Sequence, residues 1–354
     1  MAGSLVMGRR REDCSKLLKE STSVIAPDSL NPEVMRYTCR ASQCLPYVYF
    51  ANAKCASSTI QTTVLRQEVR LGFRPFFPES GQNATGYAYF QNDFATLKHI
   101  GERFGFTFVR NPFARALSVY LDKIMSPKDA VAERFFRYFP DESRDLSFGR
   151  FLERISTLHP MQMDPHWRPQ SYNIAYGFLR YDLIGHVERF NEHFAEAWRA
   201  IFDAPVDPLR VTHNETRAAD KLRRYYGDGE ADLVRAIYSA DFVNFGYGTR
   251  IEDASSVPSA LPNHRFDPTA LQDYAAALEA MESNRPADAL PIMKRLIRQL
   301  PENPYFQETL ALCRAALGHR WRALRAIERA IEICPQLPRF RETRERLRQA
   351  ASPR

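Results

Sequence analysis

The sequence predicts an α/β domain built on a parallel sheet, followed by an all-α region. Three observations predict it. Short apolar runs alternate with helix-patterned stretches between residues 47 and 212, the order a parallel sheet requires. That alternation stops after Tyr247. A stretch with an internal repeat of 34 residues follows, which is the spacing of helical-hairpin arrays.

Residues 1–44 are polar, and Pro27 and Pro32 interrupt them, so an irregular lead-in is expected. Tyr47-Val48-Tyr49-Phe50 is short, aromatic and β-branched, a buried strand. Ser57, Ser58 and Thr59 open a helix carrying Ile60, Val64 and Leu65, with Gly72 as its stop. Phe106–Val109 is a second strand and Pro112–Ile124 a second helix, with Ala116, Leu117, Tyr120, Leu121 and Ile124 as its apolar stripe. Residues 181–185 form a third strand, and a helix follows through Phe190, Phe194, Ala197, Trp198 and Ile201. Residues 209–212 form a fourth strand. The domain therefore covers 45–251. Ser255, Ser256, Pro258, Ser259, Pro262 and Pro268 mark a linker at 252–268. In 269–354, Ala289, Leu290, Met293, Leu296 and Pro301 recur 34 residues later as Ala323, Leu324, Ile327, Ala330 and Pro335. Helix, turn, helix, Pro at that period is tetratricopeptide-like. Such a tail serves protein contact or self-association.

Charge and composition narrow the function. The chain has 354 residues, 44% hydrophobic, with a net charge of +7. This suits an anionic ligand, but the basic residues are too scattered for a nucleic-acid surface. Arg9, Arg10 and Arg11 are followed by polar residues, so no signal peptide is expected. No apolar run reaches membrane-spanning length. The six cysteines contain no CxxC pair, so no metal site is expected. Cys39 and Cys44 could pair in an oxidising space. Free thiols in a reducing cytoplasm are the preferred reading.

Two stretches carry chemistry. The first follows the first strand: Asn52-Ala53-Lys54-Cys55-Ala56-Ser57-Ser58-Thr59. A strand, a tight turn and a helix start expose backbone N–H groups to an anion. Lys54 adds a charge and the hydroxyls add donors. It is not a Walker loop, because it has no glycine and its lysine precedes the hydroxyls. A plain helix start with Ser57 as N-cap is the alternative. The second stretch is Phe106-Thr107-Phe108-Val109-Arg110-Asn111-Pro112, running on to Ser118. Asn111 is a good N-cap and Pro112 suits the first turn. Arg110 therefore ends a strand beside a helix start, where its fork suits a phosphate. Ser118 lies two turns along, off the apolar stripe. Arg115 is expected in a surface pair with an acid such as Asp122.

Together these stretches resemble the two phosphosulfate-binding motifs of sulfotransferases that use 3′-phosphoadenosine 5′-phosphosulfate (PAPS), in particular the Golgi-type carbohydrate sulfotransferases acting on chondroitin and dermatan. The likeness continues through His166-Trp167-Arg168-Pro169, Tyr181-Asp182 to Glu188, and Tyr238 to Tyr247. It implies a P-loop-like sulfotransferase domain. It also implies that Lys54, Cys55, Ala56, Ser57, Ser58 and Thr59 cradle the 5′-phosphosulfate, and that Arg110 and Ser118 hold the 3′-phosphate. Golgi members carry a membrane anchor and cysteines between the His-Trp and Tyr-Asp motifs. This chain has neither, which suits a soluble, bacterial-like member.

Sulfuryl transfer to a hydroxyl, here expected on a glycan, needs a base and a cation at the leaving group. Lys54 is the expected cation. His166, with Asp164 near it in a Pro-bounded loop, is the preferred base. His99 is the alternative. Arg168 could hold an anionic acceptor or pair with Asp164 or Glu188. Competing readings are an inactive scaffold acting through its tail and a nucleotide-dependent phosphotransferase.

Overall fold

The computed structural model describes residues 23–73, 90–91, 97–126, 130–204, 218–258 and 269–350. The expected strand at 209–212, most of the linker and Cys14 lie outside them. Five strands form one sheet: β1 (Cys39–Ser42), β2 (Tyr47–Phe50), β3 (Phe90–Gln91), β4 (Phe104–Val109) and β5 (Leu183–His186), in the order β3-β1-β2-β4-β5. β2, β4 and β5 run parallel, with Phe50 opposite Thr107 and Val109 opposite His186. β1 runs antiparallel to both β2 and β3. The sheet is thus mixed, not parallel throughout. The connection from Ser42 to Tyr47 is too short for a crossover and permits only a hairpin.

The lead-in also differs from expectation. Residues 27–42 hold a 3-10 turn (Pro27–Ser29), α1 (Pro32–Thr38) and β1. Pro27 and Pro32 occupy first helical positions, where a missing N–H costs nothing. Asn31 caps α1 by accepting from the Val34 amide at 2.9 Å.

The domain helices are α2 (Ser57–Arg70), α3 (Pro112–Val119), α4 (Ala130–Tyr138), α5 (Phe148–Ser156), α6 (Gln170–Asn173), α7 (Phe190–Phe202), α8 (Ala218–Tyr225), α9 (Asp228–Ile237) and α10 (Ser239–Asn244). α3 runs directly into a π turn, Tyr120–Ile124. α11 (Thr269–Glu282), α12 (Pro286–Gln299), α13 (Pro304–Ala316), α14 (Arg320–Ile333) and α15 (Pro338–Gln349) follow.

Strand alternation explains the layers. Tyr47, Tyr49, Phe106 and Phe108 point to one face, against Ile60, Val64 and Leu65 of α2 and Phe194 and Trp198 of α7. Burying each of the Phe, Ile, Val and Leu side chains among them contributes about 1.5–3 kcal/mol. Gly185 makes room for the Phe108 ring, since a Cβ there would lie 2.5 Å from it. Val48 and Phe50 point to the other face. Their apolar cluster continues through Val34 and Met35 of α1 into Tyr274, Met293, Phe306 and Ile327 of the helical region. The C-terminal helices therefore share a core with the sheet.

Polar contacts seal this junction. Asn303 caps α13 with its Oδ1 while its Nδ2 donates to Pro27 O at 2.8 Å and Leu30 O at 3.0 Å. Arg36 pairs with Glu282, Lys98 with Glu279, and Arg339 with Glu33 and Glu308.

Candidate functional site

Because β2 and β4 are parallel neighbours, their carboxyl ends lie at one sheet edge, where ligands of α/β folds bind. β2 leads into the Asn52–Ala56 turn and α2. β4 leads into Arg110 and α3.

The first turn is built without glycine. Lys54 and Ala56 both have left-handed φ, 66° and 60°, a conformation that costs about 1–2 kcal/mol per non-glycine residue. Its surroundings hold it there. Asn52 Nδ2 donates to Phe108 O, and Asn173 Nδ2 donates to Asn52 Oδ1 at 3.2 Å. Cys55 Sγ donates to Gln170 Oε1 at 3.1 Å. Ala56, not Ser57, is the N-cap of α2, and no side chain caps it. The first-turn amides of α2 thus meet no side-chain acceptor at the cap. Burial drives the Cys55 thiol up to about 12, so it remains protonated.

Lys54 Nζ pairs with Asp122 Oδ2 at 2.8 Å. Burial pushes the ammonium below its usual value, with Asp122 opposing that shift. Burial also works against the Asp122 carboxylate, but the hydrogen bond and charge of Lys54 hold it below its usual range. Asp122 was expected to serve Arg115. The π turn instead carries it to the lysine.

Arg115 is a correction in its own right. It is 1% exposed and makes no surface pair. Its Nε donates to Ala53 O at 3.0 Å, Nη1 to Arg168 O at 2.9 Å and Nη2 to Pro165 O at 3.2 Å. One guanidinium thereby ties the Lys54 turn to the His166 turn. Arg115, Ser118 and Asp122 follow one another at three- and four-residue steps, so they share a helix face. That face fronts the Lys54 turn. Ser118 lies on it, buried between the two contacts. All of α3 is buried, Ser118 included.

Arg110 is half-buried, and its guanidinium donates no hydrogen bond to a described residue. Its backbone is fixed from both sides. Gln170 Oε1 accepts from Arg110 N at 2.8 Å, and Gln170 Nε2 donates to Arg110 O at 2.8 Å. Asp241 holds Gln170 in turn through the Gln170 amide at 2.7 Å. Glu188 accepts from Asn111 N at 2.7 Å and from the Tyr247 hydroxyl at 3.0 Å. Burial lowers the pKa of Arg110, against the pull of Cys55 and Glu188. Burial raises that of Glu188.

His166 Nδ1 lies 2.6 Å from Asp164 Oδ1. A carboxylate only accepts, so Nδ1 carries the proton and Nε2 is left as the acceptor. Asp164 also pairs with Arg134 at 2.9 Å. Burial alone would raise the Asp164 carboxyl, but His166 and Arg134 hold it below its ordinary value. His99 is a correction. It precedes β4 at the end opposite Arg110, about 20 Å away at ~3.3 Å per residue over six residues. Its side chain is 64% exposed and 3.2 Å from Glu102. Arg168 is another correction. It is buried, and it donates to Pro160 O and Met163 O at 2.9 Å each, so it braces its own loop.

Sequence reasoning missed Gln170 as the link between the two stretches and Asp241 as its support. The available signal was chemical: buried-context amides such as Asn52 and Gln170 flanked by apolar or proline residues need partners. Among the described residues no group of side chains could hold a metal ion, and no helix is long and apolar enough to cross a membrane. Cys39 is a buried cysteine and Cys44 an exposed one.

Fold and site define an α/β protein with two corners at one sheet edge, one holding Lys54 beside the uncapped start of α2 and the other holding Arg110. The sequence pattern of the sulfotransferase family matches residues 48–248, more than half of the chain, and the chain belongs to that family. Its class of chemistry is sulfuryl transfer. No curated protein and no solved structure matches it.

Proposed function

We infer that the protein transfers a sulfuryl group from PAPS to a hydroxyl, on a carbohydrate acceptor. The carrying observation is that Arg110 keeps a guanidinium unpaired among the described residues, at the strand end next to the uncapped α2 start. Buried or half-buried cations of this kind wait for an anion. A donor with phosphate at both ends of a nucleoside suits two such corners.

In this reading the α2 amides, Ser57, Ser58 and Thr59 hold the 5′-phosphosulfate in a P-loop-like cradle. Arg110 holds the 3′-phosphate, with Ser118 at its margin. His166 Nε2 takes the acceptor proton as the acceptor oxygen bonds to sulfur. The bond from sulfur to the 5′-phosphate oxygen breaks, and the leaving charge falls to Lys54. Asp164 steadies the imidazolium that forms. The carbohydrate acceptor rests on the resemblance to the Golgi-type branch. The 34-residue match supports tetratricopeptide-like repeats in the tail, whose inner side packs on residues 27–38 of the same chain.

Thermal melts with adenosine 3′,5′-bisphosphate, AMP and ATP test this. Stabilisation by the 3′-phosphorylated nucleotide alone is expected. Arg110→Ala should weaken that binding about 100-fold, the loss of a charge-assisted pair. An Arg110→Ala protein with undiminished nucleotide affinity would refute the assignment.

A further inference from the structure

The turn from α13 to α14 carries a second basic site, far in sequence from the sulfotransferase stretches. Arg320, Arg322 and Arg325 are exposed and form no ion pair among the described residues. Arg314 joins them, donating to Arg322 O at 3.0 Å. Trp321 stands in the same turn of helix, 82% exposed. It contacts no aromatic ring and no cation among the described residues.

Several arginines on α14 and α15 are paired instead. Arg344 and Arg348 of α15 pair with Glu328 and Glu345, and Arg329 pairs with Glu332. The cluster also sits against local electrostatics. The first turn of α14 has no acid and no side-chain cap, so arginines crowd the positive end of a helix dipole. Each repels the others and the helix end. Folding gains nothing from this arrangement, whereas an anionic surface does.

We propose that the α13–α14 turn docks the protein on an anionic lipid bilayer, with Trp321 in the headgroup layer and Arg320, Arg322 and Arg325 on lipid phosphates. The tryptophan decides between polyanions. A soluble polyanion satisfies the arginines but leaves an exposed indole unused. A bilayer interface takes both, because tryptophan partitions to the headgroup level while basic residues follow the surface potential. Trp321 and Arg325 are four residues apart and share a helix face, so both reach one plane.

The test uses the full chain and vesicles of phosphatidylcholine with or without phosphatidylglycerol. Cosedimentation only with the anionic vesicles is expected, reversed by salt. The chain has 3 tryptophans, of which Trp167 and Trp198 are buried. A blue shift of emission on binding therefore reports Trp321, and Trp321→Ala should abolish it. Arg322→Gln with Arg325→Gln should weaken binding roughly 30-fold. Equal binding to both vesicle types overturns the proposal, and so does anionic binding without the emission shift. Heparin binding without vesicle binding would assign the turn to a soluble polyanion and overturn it as well.

Discussion

Replacing Arg115 by methionine is the most informative single change, because its consequences differ sharply between a surface arginine and a buried tie. As a surface pair, Arg115 would contribute no more than about 1 kcal/mol. In the structure it donates to three backbone carbonyls from a buried position. Pro165 O keeps a second donor, Asn173 Nδ2 at 2.8 Å, and Ala53 O keeps only the weak Cys55 thiol at 3.6 Å, so the carbonyls of Ala53 and Arg168 lose most. Each costs about 1–3 kcal/mol when left without its donor. Methionine returns part of the expense of burying a guanidinium, so a net loss of about 3 kcal/mol follows for two such carbonyls. At about 2–4 °C per kcal/mol, that is a fall in Tm of roughly 6–12 °C. Arg115→Lys keeps charge without the fork and should fall between. Because the same guanidinium joins the Lys54 and His166 turns, the melting shift given by adenosine 3′,5′-bisphosphate should shrink too. Differential scanning fluorimetry with and without nucleotide measures both. A fall in Tm below about 2 °C with an unchanged nucleotide response would show that the tie is not what holds these turns together.

Four further outcomes are expected. Gln170→Leu removes the paired hydrogen bonds to the Arg110 backbone and should raise KM for PAPS more than it lowers kcat, whereas a loss of kcat alone would mean Gln170 does not position Arg110. His166→Ala should lower turnover by about 10²–10⁴-fold with nucleotide affinity intact, and near-normal turnover would remove His166 as the base. The Asp164 carboxyl is held below its ordinary 3.8, so its contribution is full above that value and is lost as pH falls through the lower folded value; the stability gap between wild type and Asp164→Asn, read from urea midpoints, should close in acid and not at neutral pH. Iodoacetamide at mildly alkaline pH should label Cys44 and spare Cys55, whose buried thiol is raised to about 12; labelling of Cys55 in the native protein, found by mass spectrometry, would place that thiol at the surface.

Much of the site was legible because its signals are local. Arg110-Asn111-Pro112 reads as a strand end, an N-cap and a first helical turn, and Asn111 Oδ1 does accept from Phe113 N at 3.0 Å. Asp164, two residues from His166, was near enough in sequence to be suspected. The matched positions of the helical repeat, Ala289 with Ala323 and Met293 with Ile327, are buried in both copies. Periodicity reports which side of an element is apolar, and that holds whatever packs against it.

What tertiary structure alone decided is where polar side chains find partners and which way a short strand runs. Arg115 and Arg168 look like surface arginines by type, yet both end on backbone carbonyls. Arg115 alone reaches across 50 to 62 residues. Gln170 reaches back 60 residues to Arg110. His99 lies between the two motifs in sequence, yet β4 carries it to the far end of the sheet. A buried donor must be satisfied, but its own neighbours in sequence do not say by what. The sequence by itself determined two strand ends that carry cations and a helical tail. Only the packing determined that one arginine and one glutamine join those ends into a single site, and that the tail completes the core beneath it.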